Sequence, residues 1–380
     1  MLCSISKVIA ENEGDGRMFL AWKEIKHSKT RFALIIGVMV LVSYLVYFLT
    51  GLAYGLAQDN RTSVDKWDAD GIVLTDESNS NINMSMITLG QAEDVSGDET
   101  ALLGQTAGVI RKEGTSGESS KINVTFFGID PDEFIMPELI EGEAFTNNDE
   151  AIADISLNEE EGIEIGDVVQ LAGSDKEVTV TGFTENAKFN VAPVLYTTIG
   201  SFQEIRFERI DESEEGRISA VIVRDSEEDL SGVEIDNDDL VPYEIGDYIY
   251  KIPGYSAQVL TFGLMIGFLI VIAAVVIGIF IYVLTLQKSS LFGVMKAQGI
   301  SSGYIAKSVI AQTFILSVVG VGTGLLLTLG TSLVLPATVP YQNNVLFLAG
   351  ITALLVIVAV LGGLFSVRTV VKIDPLEAIG

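Results

Sequence analysis

The stretch that decides the fold is residues 259–286, which read VLTFGLMIGFLIVIAAVVIGIFIYVLTL. It contains no Asp, Glu, Lys or Arg. At ~1.5 Å rise per residue, roughly 20 apolar residues cross the hydrocarbon of a bilayer, so this stretch is long enough to span a membrane as one helix. The sequence therefore predicts an integral membrane protein, and the other segments are interpreted relative to this helix.

Three other uncharged apolar stretches lie at residues 32–57, 309–335 and 345–367. Each is long enough for a further span, which gives one helix, an interval of about 200 residues, and then three helices. The first stretch is too long for a cleaved signal peptide, and no small-residue cleavage site comes after it. We therefore predict a membrane protein with four transmembrane α-helices in a 1 + 3 arrangement.

Charge is distributed unevenly along the chain. The 380 residues are 48% hydrophobic, yet they carry 51 acidic and 23 basic side chains, a formal net charge of -28. Residues 59–258 hold 45 of the acidic and 12 of the basic residues, so this block has a net charge of -33. A single soluble domain is excluded, and nucleic-acid binding is disfavoured because phosphate requires a basic footprint.

Lysine and arginine near the helix ends predict the orientation, because such residues favour the cytoplasmic side. They fall before the first helix, between the second and third, and after the fourth: Lys23, Lys26, Lys29, Arg31; Lys288, Lys296, Lys307; Arg368, Lys372. We therefore expect a multi-pass protein of the cell (plasma) membrane with both termini cytoplasmic. Residues 58–258 and the loop 336–344 are then external, whereas residues 287–308 and the tail 368–380 are cytoplasmic.

The acidic block, residues 58–258, is predicted to be an α+β extracytoplasmic domain large enough for its own core. Lys176–Phe183 and Ala220–Val223 have the composition of strands, and Gly, Asn and Asp separate such runs. Acidic runs at 158–161, 211–215 and 236–239 leave two readings open. They could bind calcium, but none has a calcium-loop spacing, so a solvated surface is favoured.

The N-terminal segment carries two expectations. Residues 1–17 are polar and unlike the amphipathic residues 18–31, so translation could begin at Met18; a cytoplasmic tail is the equally weighted alternative. Residues 18–31 are predicted to form an interfacial cytoplasmic helix, with Phe19 and Trp22 at the level of the lipid and lysines toward the head groups.

Several kinds of chemistry are excluded by composition. The single cysteine, Cys3, and single histidine, His27, rule out an intrachain disulfide, a Cys/His zinc site and a Cys-His nucleophile. No G-x-x-x-x-G-K-[ST] phosphate loop is present. We predict no catalytic residue, no metal site and no cofactor held by this chain.

Three local segments, in this order, carry a family resemblance: the pre-helix FLAWKEIKHSKTR (19–31), the loop LQKSSLFGVMKAQGI (286–300) and the terminus IDPLEAIG (373–380). With the 1 + 3 arrangement, they resemble the permeases of the MacB/FtsX-type ABC exporter superfamily. The segments 50–56, 284–288, 335–341 and 374–380 are most similar to the haem-efflux permeases of Gram-positive bacteria. The resemblance implies a homodimer joined to two copies of a separate ATP-binding subunit, which uses the ATP.

The loop 287–308 has the composition of a coupling element for such a subunit. Gly293 and Gly299 are expected to frame a short amphipathic helix whose apolar side chains enter a groove on the soluble partner. The predicted coupling residues are Lys288, Leu291, Phe292, Val294, Met295 and Lys296. The second helix would then act as a rigid lever for ATP-driven motion. A loop that only lies on the membrane surface is the alternative.

A candidate substrate surface lies on the outer halves of the first two helices. Helical spacing places Tyr44, Tyr47 and Tyr54 on one face, and Phe262 and Met265 are expected opposite them. Tyrosine oxygen and thioether sulfur are haem-iron ligand types, so haem is a possible substrate that could be bound between these rings. Helix packing is the alternative, because aromatic stripes beside glycines commonly serve that purpose.

Three functions are compatible with these patterns. The leading one is the permease subunit of an ATP-driven efflux pump for haem or another amphipathic membrane-borne compound. The second is an FtsX-like complex that transports nothing and transmits ATPase motion to an external cell-wall hydrolase or sensor. A plain adhesion or receptor protein is the third, but it leaves the clustered basic loops unexplained.

Overall fold

The structure, a computed structural model, describes residues 29–114, 117, 120–225 and 230–371, with the backbone alone at 29–31 and 366–371. The predicted extension 1–17, nearly all of the predicted interfacial helix and the end of the tail lie outside the described residues. The chain divides into two units. One contains the helices up to Tyr54, Phe262–Leu335 and the chain from Tyr341, and the other contains Gly55–Thr261 with Pro336–Pro340.

Ten α-helices, one 3-10 helix (Asp76–Ser78) and fifteen strands are found in the described part of the chain. The helices are α1 (Lys29–Gln58), α2 (Thr62–Asp65), α3 (Leu89–Ala92), α4 (Ser156–Glu161), α5 (Ile199–Phe207), α6 (Ile245–Lys251), α7 (Tyr255–Gln287), α8 (Ser289–Ala297), α9 (Ser302–Ser332) and α10 (Val345–Val371). The strands are β1 (Gly71–Thr75), β2 (Ile87–Thr88), β3 (Val95–Ser96), β4 (Glu99–Lys112), β5 (Ile122–Ile129), β6 (Glu141–Gly142), β7 (Glu150–Asp154), β8 (Val168–Leu171), β9 (Glu177–Thr184), β10 (Lys188–Phe189), β11 (Ala192–Thr198), β12 (Arg217–Ile218), β13 (Ala220–Arg224), β14 (Glu234–Ile235) and β15 (Leu240–Glu244).

Four of these helices, α1, α7, α9 and α10, are long and apolar enough to cross a membrane. They occur in the predicted order of one helix, a mixed domain and three helices, which confirms the predicted fold class. Helix α9 begins earlier than the apolar stretch at Val309, because Ser301 caps it: the Ser301 Oγ accepts a hydrogen bond from the Tyr304 N–H at 3.3 Å. The assignment of each loop to one side of the membrane stays a prediction.

The four long helices pack through small residues. A Cβ added at Gly320 or Gly324 of α9 would overlap Met39 or Ser43 of α1. The Cα of Gly278 on α7 lies 3.1 Å from where a Cβ at Gly362 of α10 would be. Small residues allow such close approach of helix backbones in lipid, where association depends on van der Waals packing. Glycines therefore determine which helices are neighbours in this unit.

The second unit is built on an 11-stranded mixed sheet, part of which closes on itself. Strands β4, β5, β11, β7, β9 and β8 pair in succession, and β8 pairs back to β4. The β5–β11 and β7–β9 pairs are parallel, and the other four are antiparallel. Buried apolar side chains such as Phe126, Val180 and Leu195 form one core cluster from these strands. Closure removes the free edges that an open sheet would expose.

Strand β4 is shared between this ring and an open sheet. Its first residues pair with β13, which continues to β1 and β15, and from Gly104 onward it pairs with β5. Trp67, Ile72 and Phe127 belong to a second large core cluster of this unit. The strands predicted at Lys176–Phe183 and Ala220–Val223 are confirmed as β9 and β13. The unit is thus the predicted α+β domain.

The segment after α1 is held firmly within this second unit. The Asn60 Nδ2 donates hydrogen bonds to the Leu56 carbonyl at 2.7 Å and to the Gln258 Oε1 at 2.9 Å. The Lys188 ammonium lies 3.4 Å from an Asp59 carboxylate oxygen. Burial raises the pKa of Asp59, and the charge of Lys188 opposes that shift. The last turn of α1 and the first turn of α7 are therefore fixed to each other in this unit.

The predicted acidic runs lie on exposed helix ends and turns. Glu159, Glu160 and Glu161 are exposed at the end of α4, and Asp211 accepts hydrogen bonds from the backbone and hydroxyl of Ser213. Among the residues that the structure describes, no group of three His, Cys, Asp or Glu side chains is arranged to hold a metal ion. These positions support the reading of a solvated acidic surface.

Candidate functional site

The loop between α7 and α9 contains the short helix α8, which is built by local signals. At its C-terminus the Gly299 N–H donates to the Lys296 carbonyl at 2.9 Å, and the Ile300 N–H donates to the Met295 carbonyl at 3.0 Å. This is a Schellman motif, and Gly299 supplies its required positive φ of 87°. Gly293 was expected to frame the helix from the other side, but it is an interior, buried residue because α8 begins at Ser289.

One face of α8 packs inward onto the start of α9. Phe292 is only 5% exposed and lies in a core cluster with Ile305 and Val309. Met295 and Ile300 pack against the same cluster, which adds the apolar contact that commonly accompanies a Schellman motif. Two of the predicted groove residues, Phe292 and Met295, therefore stabilise the loop itself.

The opposite face of α8 is open. Leu291 is 49% exposed and Val294 is 42% exposed. They lie three positions apart, so they are neighbours on one helix face. Lys296 is half-buried in the last turn. Of the four apolar coupling residues that the sequence predicts, only Leu291 and Val294 form an available apolar surface.

Lys288 occupies the joint between α7 and α8 and points into the helix bundle. Its ammonium donates to the Oε1 of Gln312 on α9 at 3.1 Å and lies 4.8 Å from the ring centre of Phe32 on α1. Gln312 is 3% exposed. The ammonium of Lys288 is therefore directed toward α9 and α1, and its role beside a docking surface stays a prediction.

The tyrosines of the predicted substrate surface are engaged within the bundle. Tyr47 is fully buried, and its hydroxyl lies 2.6 Å from the Oγ1 of Thr352 on α10. Since the Thr352 hydroxyl donates to the Leu348 carbonyl, Tyr47 is the donor in this pair. The Tyr44 hydroxyl lies 3.2 Å from the Thr331 Oγ1 on α9. These contacts favour helix packing at Tyr44 and Tyr47.

Aromatic contacts occupy the outer turns of α1. Tyr54 meets Phe347 of α10 edge to face with ring centres 5.4 Å apart. Tyr44, Phe48 and Tyr341 form two successive stacked pairs, at 5.9 Å and 5.6 Å. The ring of Tyr341 also covers Gly51, where a Cβ would overlap it. The spacing of the tyrosines does not predict their neighbours Thr331, Thr352, Tyr341 and Phe347, although polar threonines inside apolar helices are a signal for hydrogen-bonded helix partners.

Phe262 and Met265 lie near the start of α7. Both are half-buried, and Gly263 and Gly267 between and after them have nothing within 4 Å of an added Cβ. The hydroxyls of Tyr44 and Tyr47 contact α9 and α10, the ring of Tyr54 contacts α10, and Tyr47 lies in a core cluster that also contains Ala273 of α7. Tyr44 and Tyr47 are engaged in helix packing, and the expected position of Phe262 and Met265 opposite the tyrosines stays a prediction.

Comparisons with known proteins agree with the pattern of helices. Residues 263–375 match the family described as FtsX-like permease C-terminal. A protein of Staphylococcus epidermidis that bears the name of a hemin transport system permease protein, HrtB, is 26% identical over 378 residues, covering 96% of this chain and 99% of the relative. An uncharacterized ABC transporter permease of Mycobacterium bovis is 24% identical over 381 residues, with the same coverage. These matches confirm the resemblance inferred from the sequence.

One solved structure is also similar. The periplasmic region of MacB from Actinobacillus actinomycetemcomitans covers 47% of this chain and 89% of its own, with 12% sequence identity and a TM-score of 0.31.

Proposed function

We propose that this chain, whose residues 263–375 match the FtsX-like permease C-terminal family and which is similar over nearly its full length to ABC transporter permeases, is the permease subunit of an ATP-driven efflux pump. In this proposal ATP is hydrolysed by a separate ATP-binding subunit, two copies of which assemble with a homodimer of this chain. The pump works by mechanotransmission and exports haem or another amphipathic membrane-borne compound. Both termini and helix α8 are cytoplasmic, and residues 58–258 are external.

The strongest support comes from the two different faces of α8. Phe292 is buried against α9, so the helix is held in a fixed position, while Leu291 and Val294 remain exposed on the other side. An exposed apolar pair on a rigid, capped helix is suited to a groove on a soluble protein. We infer that Leu291 and Val294 enter the ATP-binding subunit and that Lys296 flanks them.

The homodimer is supported by the surface of α7. This helix has 33 residues, about 50 Å at the usual rise, whereas the hydrocarbon of a bilayer is about 30 Å thick. A smaller share of its most apolar stretch is buried than in α1, α9 or α10. Exposed apolar residues run along it at helical spacing: Leu264, Phe268, Val271, Val275 and Ile279. A second copy would cover the part of this surface that extends beyond the lipid.

Mechanotransmission is supported by the continuity of α7. The helix runs unbroken from Tyr255 to Gln287, and its first turn belongs to the external unit, where Tyr255 is buried and Gln258 bonds Asn60. Its other end leads into α8 after a single residue. A displacement of α8 by the ATP-binding subunit would therefore be passed along a rigid element to the external domain.

Haem is proposed as cargo because the relative from Staphylococcus epidermidis bears the name of a hemin transport permease. Met265 and Phe262 on α7 remain half-buried, so their side chains are still available to a flat ligand. Tyr44 and Tyr47 are committed to threonine partners, which leaves Tyr54 and Met265 as the candidate iron ligands. A ligand that enters here would come from the membrane.

The FtsX-like alternative is favoured by one observation. The rings and hydroxyls proposed to contact haem are largely used for packing between α1, α9 and α10. A permease without a cargo site would still transmit ATPase motion to a cell-wall hydrolase or a sensor outside. The two functions share the ATP-binding partner and differ in what the external side does.

The deciding experiment is purification with the candidate ATP-binding subunit, followed by ATPase assays. Wild type and Leu291→Met are expected to copurify with that subunit, whereas Leu291→Asp is expected to lose it because a charge would enter the apolar groove. Copurification by Leu291→Asp would contradict the assigned docking face. Haem that stimulates ATP hydrolysis in proteoliposomes, where control lipids and peptides do not, supports efflux; haem without effect, together with altered wall hydrolysis on gene deletion, supports the alternative.

A further inference from the structure

Lys288 has a geometry that the docking role does not explain. It is the single residue between α7 and α8, and its N–H donates to the Thr285 carbonyl at 3.2 Å. Its side chain turns away from the exposed face of α8 and reaches Gln312, which lies well inside α9. An ammonium placed among apolar helices is costly unless it is paired, and the Gln312 Oε1 supplies a partner here.

We propose that Lys288 is a positioning residue that fixes α8, the coupling helix, to α9. ATP-driven motion then enters the helix bundle through α9 as well as through α7. The proposal rests on the proposed function and adds a second route to it. The ammonium contacts two helices at once, through the hydrogen bond to Gln312 and the approach to the Phe32 ring. A bond to a charged donor is stronger and more directional than a neutral one.

A single face of α9 receives both Lys288 and α8. Ile305, Val309 and Gln312 have the i, i+4, i+7 spacing, and they are 1%, 6% and 3% exposed. Ile305 and Val309 hold Phe292 of α8, and Gln312 holds the ammonium of Lys288. The joint and the coupling helix therefore contact α9 over a continuous buried surface, which would move together with α8.

The same contact explains why α8 can be both short and fixed. A helix of nine residues is marginal by itself, because it forms few hydrogen bonds after its costly nucleation. The apolar cluster holds its inner face, and Lys288 holds the chain at its first turn. A flexible joint at residue 288 would let α8 follow the ATP-binding subunit without displacing α9.

The test uses cysteine probes at the outer ends of the two helices, in the full chain assembled with the ATP-binding subunit. Cys3 is replaced by serine in two proteins that each carry one new cysteine. Leu260→Cys reports on α7, and Leu333→Cys reports on the end of α9; both leucines are exposed. The measured quantity is the rate of reaction with a membrane-impermeant maleimide, with and without ATP and vanadate. Without further substitution, ATP is expected to change the rate at both probes.

Lys288→Met is expected to keep copurification and the response at residue 260, and to lose the response at residue 333. The exchange of both partners, Lys288→Gln with Gln312→Lys, is expected to restore the response at residue 333, because the same bond forms with its donor on the other helix. A residue that is needed only for folding would not be rescued by this exchange. Lys288→Arg serves as the conservative control and should behave as wild type.

Three results would overturn the inference. The first is a full response at residue 333 in Lys288→Met. The second is loss of copurification in that variant, which would make Lys288 a docking residue. The third is failure of the exchanged pair to restore the response. If ATP changes the reaction rate of neither probe in the protein with unaltered Lys288 and Gln312, the proposed mechanotransmission itself is contradicted, and the inference fails with it. Failure of the proposed function is thus distinguishable from failure of the role of Lys288 alone.

Discussion

Tyr47 is a tyrosine in an apolar helix whose hydroxyl has found a partner on another helix. It donates to Thr352, which in turn donates to the Leu348 carbonyl, so the three groups form a short chain of hydrogen bonds. Tyr47→Phe removes the first donor and keeps the ring. We expect a loss of about 1 kcal/mol in the free energy of unfolding, seen as a lower melting temperature in detergent, with haem affinity unchanged.

Thr352→Val is the matched variant for this pair, because it removes the acceptor. If the hydroxyls act only on each other, the double substitution should cost no more than either single one. A Tyr47→Phe protein that melts as wild type but loses haem absorbance would instead restore Tyr47 as a ligand.

The sequence predicts that these tyrosines share one face of α1, but it does not predict which helix packs against that face. Helical spacing groups Tyr44, Tyr47 and Tyr54 without regard to tertiary structure. Their partners Thr331, Thr352 and Phe347 are far away in the chain and were assigned no role from the pattern. The expected position of Phe262 and Met265 opposite the tyrosines depends on which faces of α1 and α7 pack together. Spacing along a single helix does not determine this.

Among the elements, α9 offers a clean test of glycine packing. A Cβ at Gly324 would overlap the Ser43 hydroxyl of α1, whereas an added Cβ at Gly322 meets nothing within 4 Å. Gly324→Val should therefore separate α9 from α1 and lower the free energy of unfolding by about 1–3 kcal/mol, the usual cost of overpacking. Thermal unfolding in detergent measures the effect.

Gly322→Val is the control on the same helix, since it makes the same chemical change on a face with room. Both variants alter helix propensity equally, so only the difference between them reports on packing. Equal melting temperatures for the two variants would show that α1 and α9 are not held together at Gly324.

Helix α8 shows where prediction from sequence ends for an element. The glycine at its end and its apolar composition were sufficient to predict a short helix in this loop, and Gly299 does terminate it. Leu291 and Phe292 are adjacent and equally apolar, yet one is exposed and the other is buried. The outcome depends on Ile305 and Val309, which belong to α9 and lie in what was predicted to be loop or the edge of a span.

For the whole molecule, the 1 + 3 order of helices and the α+β class can be predicted from apolar length and from the acidic block, which are local properties of the chain. The closed ring of strands cannot. Its closure requires β5 to pair in parallel with β11, about 70 residues later, so that Thr125 lies beside Val194. Long-range pairing of that kind leaves no mark in strand periodicity, which is a local signal.

Orientation is the remaining whole-molecule property, and charge predicts it. Residues 287–308 carry Lys288, Lys296 and Lys307 without an acidic residue, whereas residues 59–258 have a net charge of -33. Moving lysines across a bilayer during insertion is unfavourable, so the basic loop is expected to stay inside and the acidic domain to be exported.

Two variants test this orientation, each made together with Cys3→Ser. Asp238→Cys should react with an impermeant maleimide in intact cells, and Lys307→Cys should react only after permeabilisation. Asp238 and Lys307 are both exposed side chains, so equal reaction after solubilisation is the control for local accessibility. Labelling of residue 307 in intact cells would show that the loop 287–308 is external. Helix α8 could then not contact a cytoplasmic ATP-binding subunit.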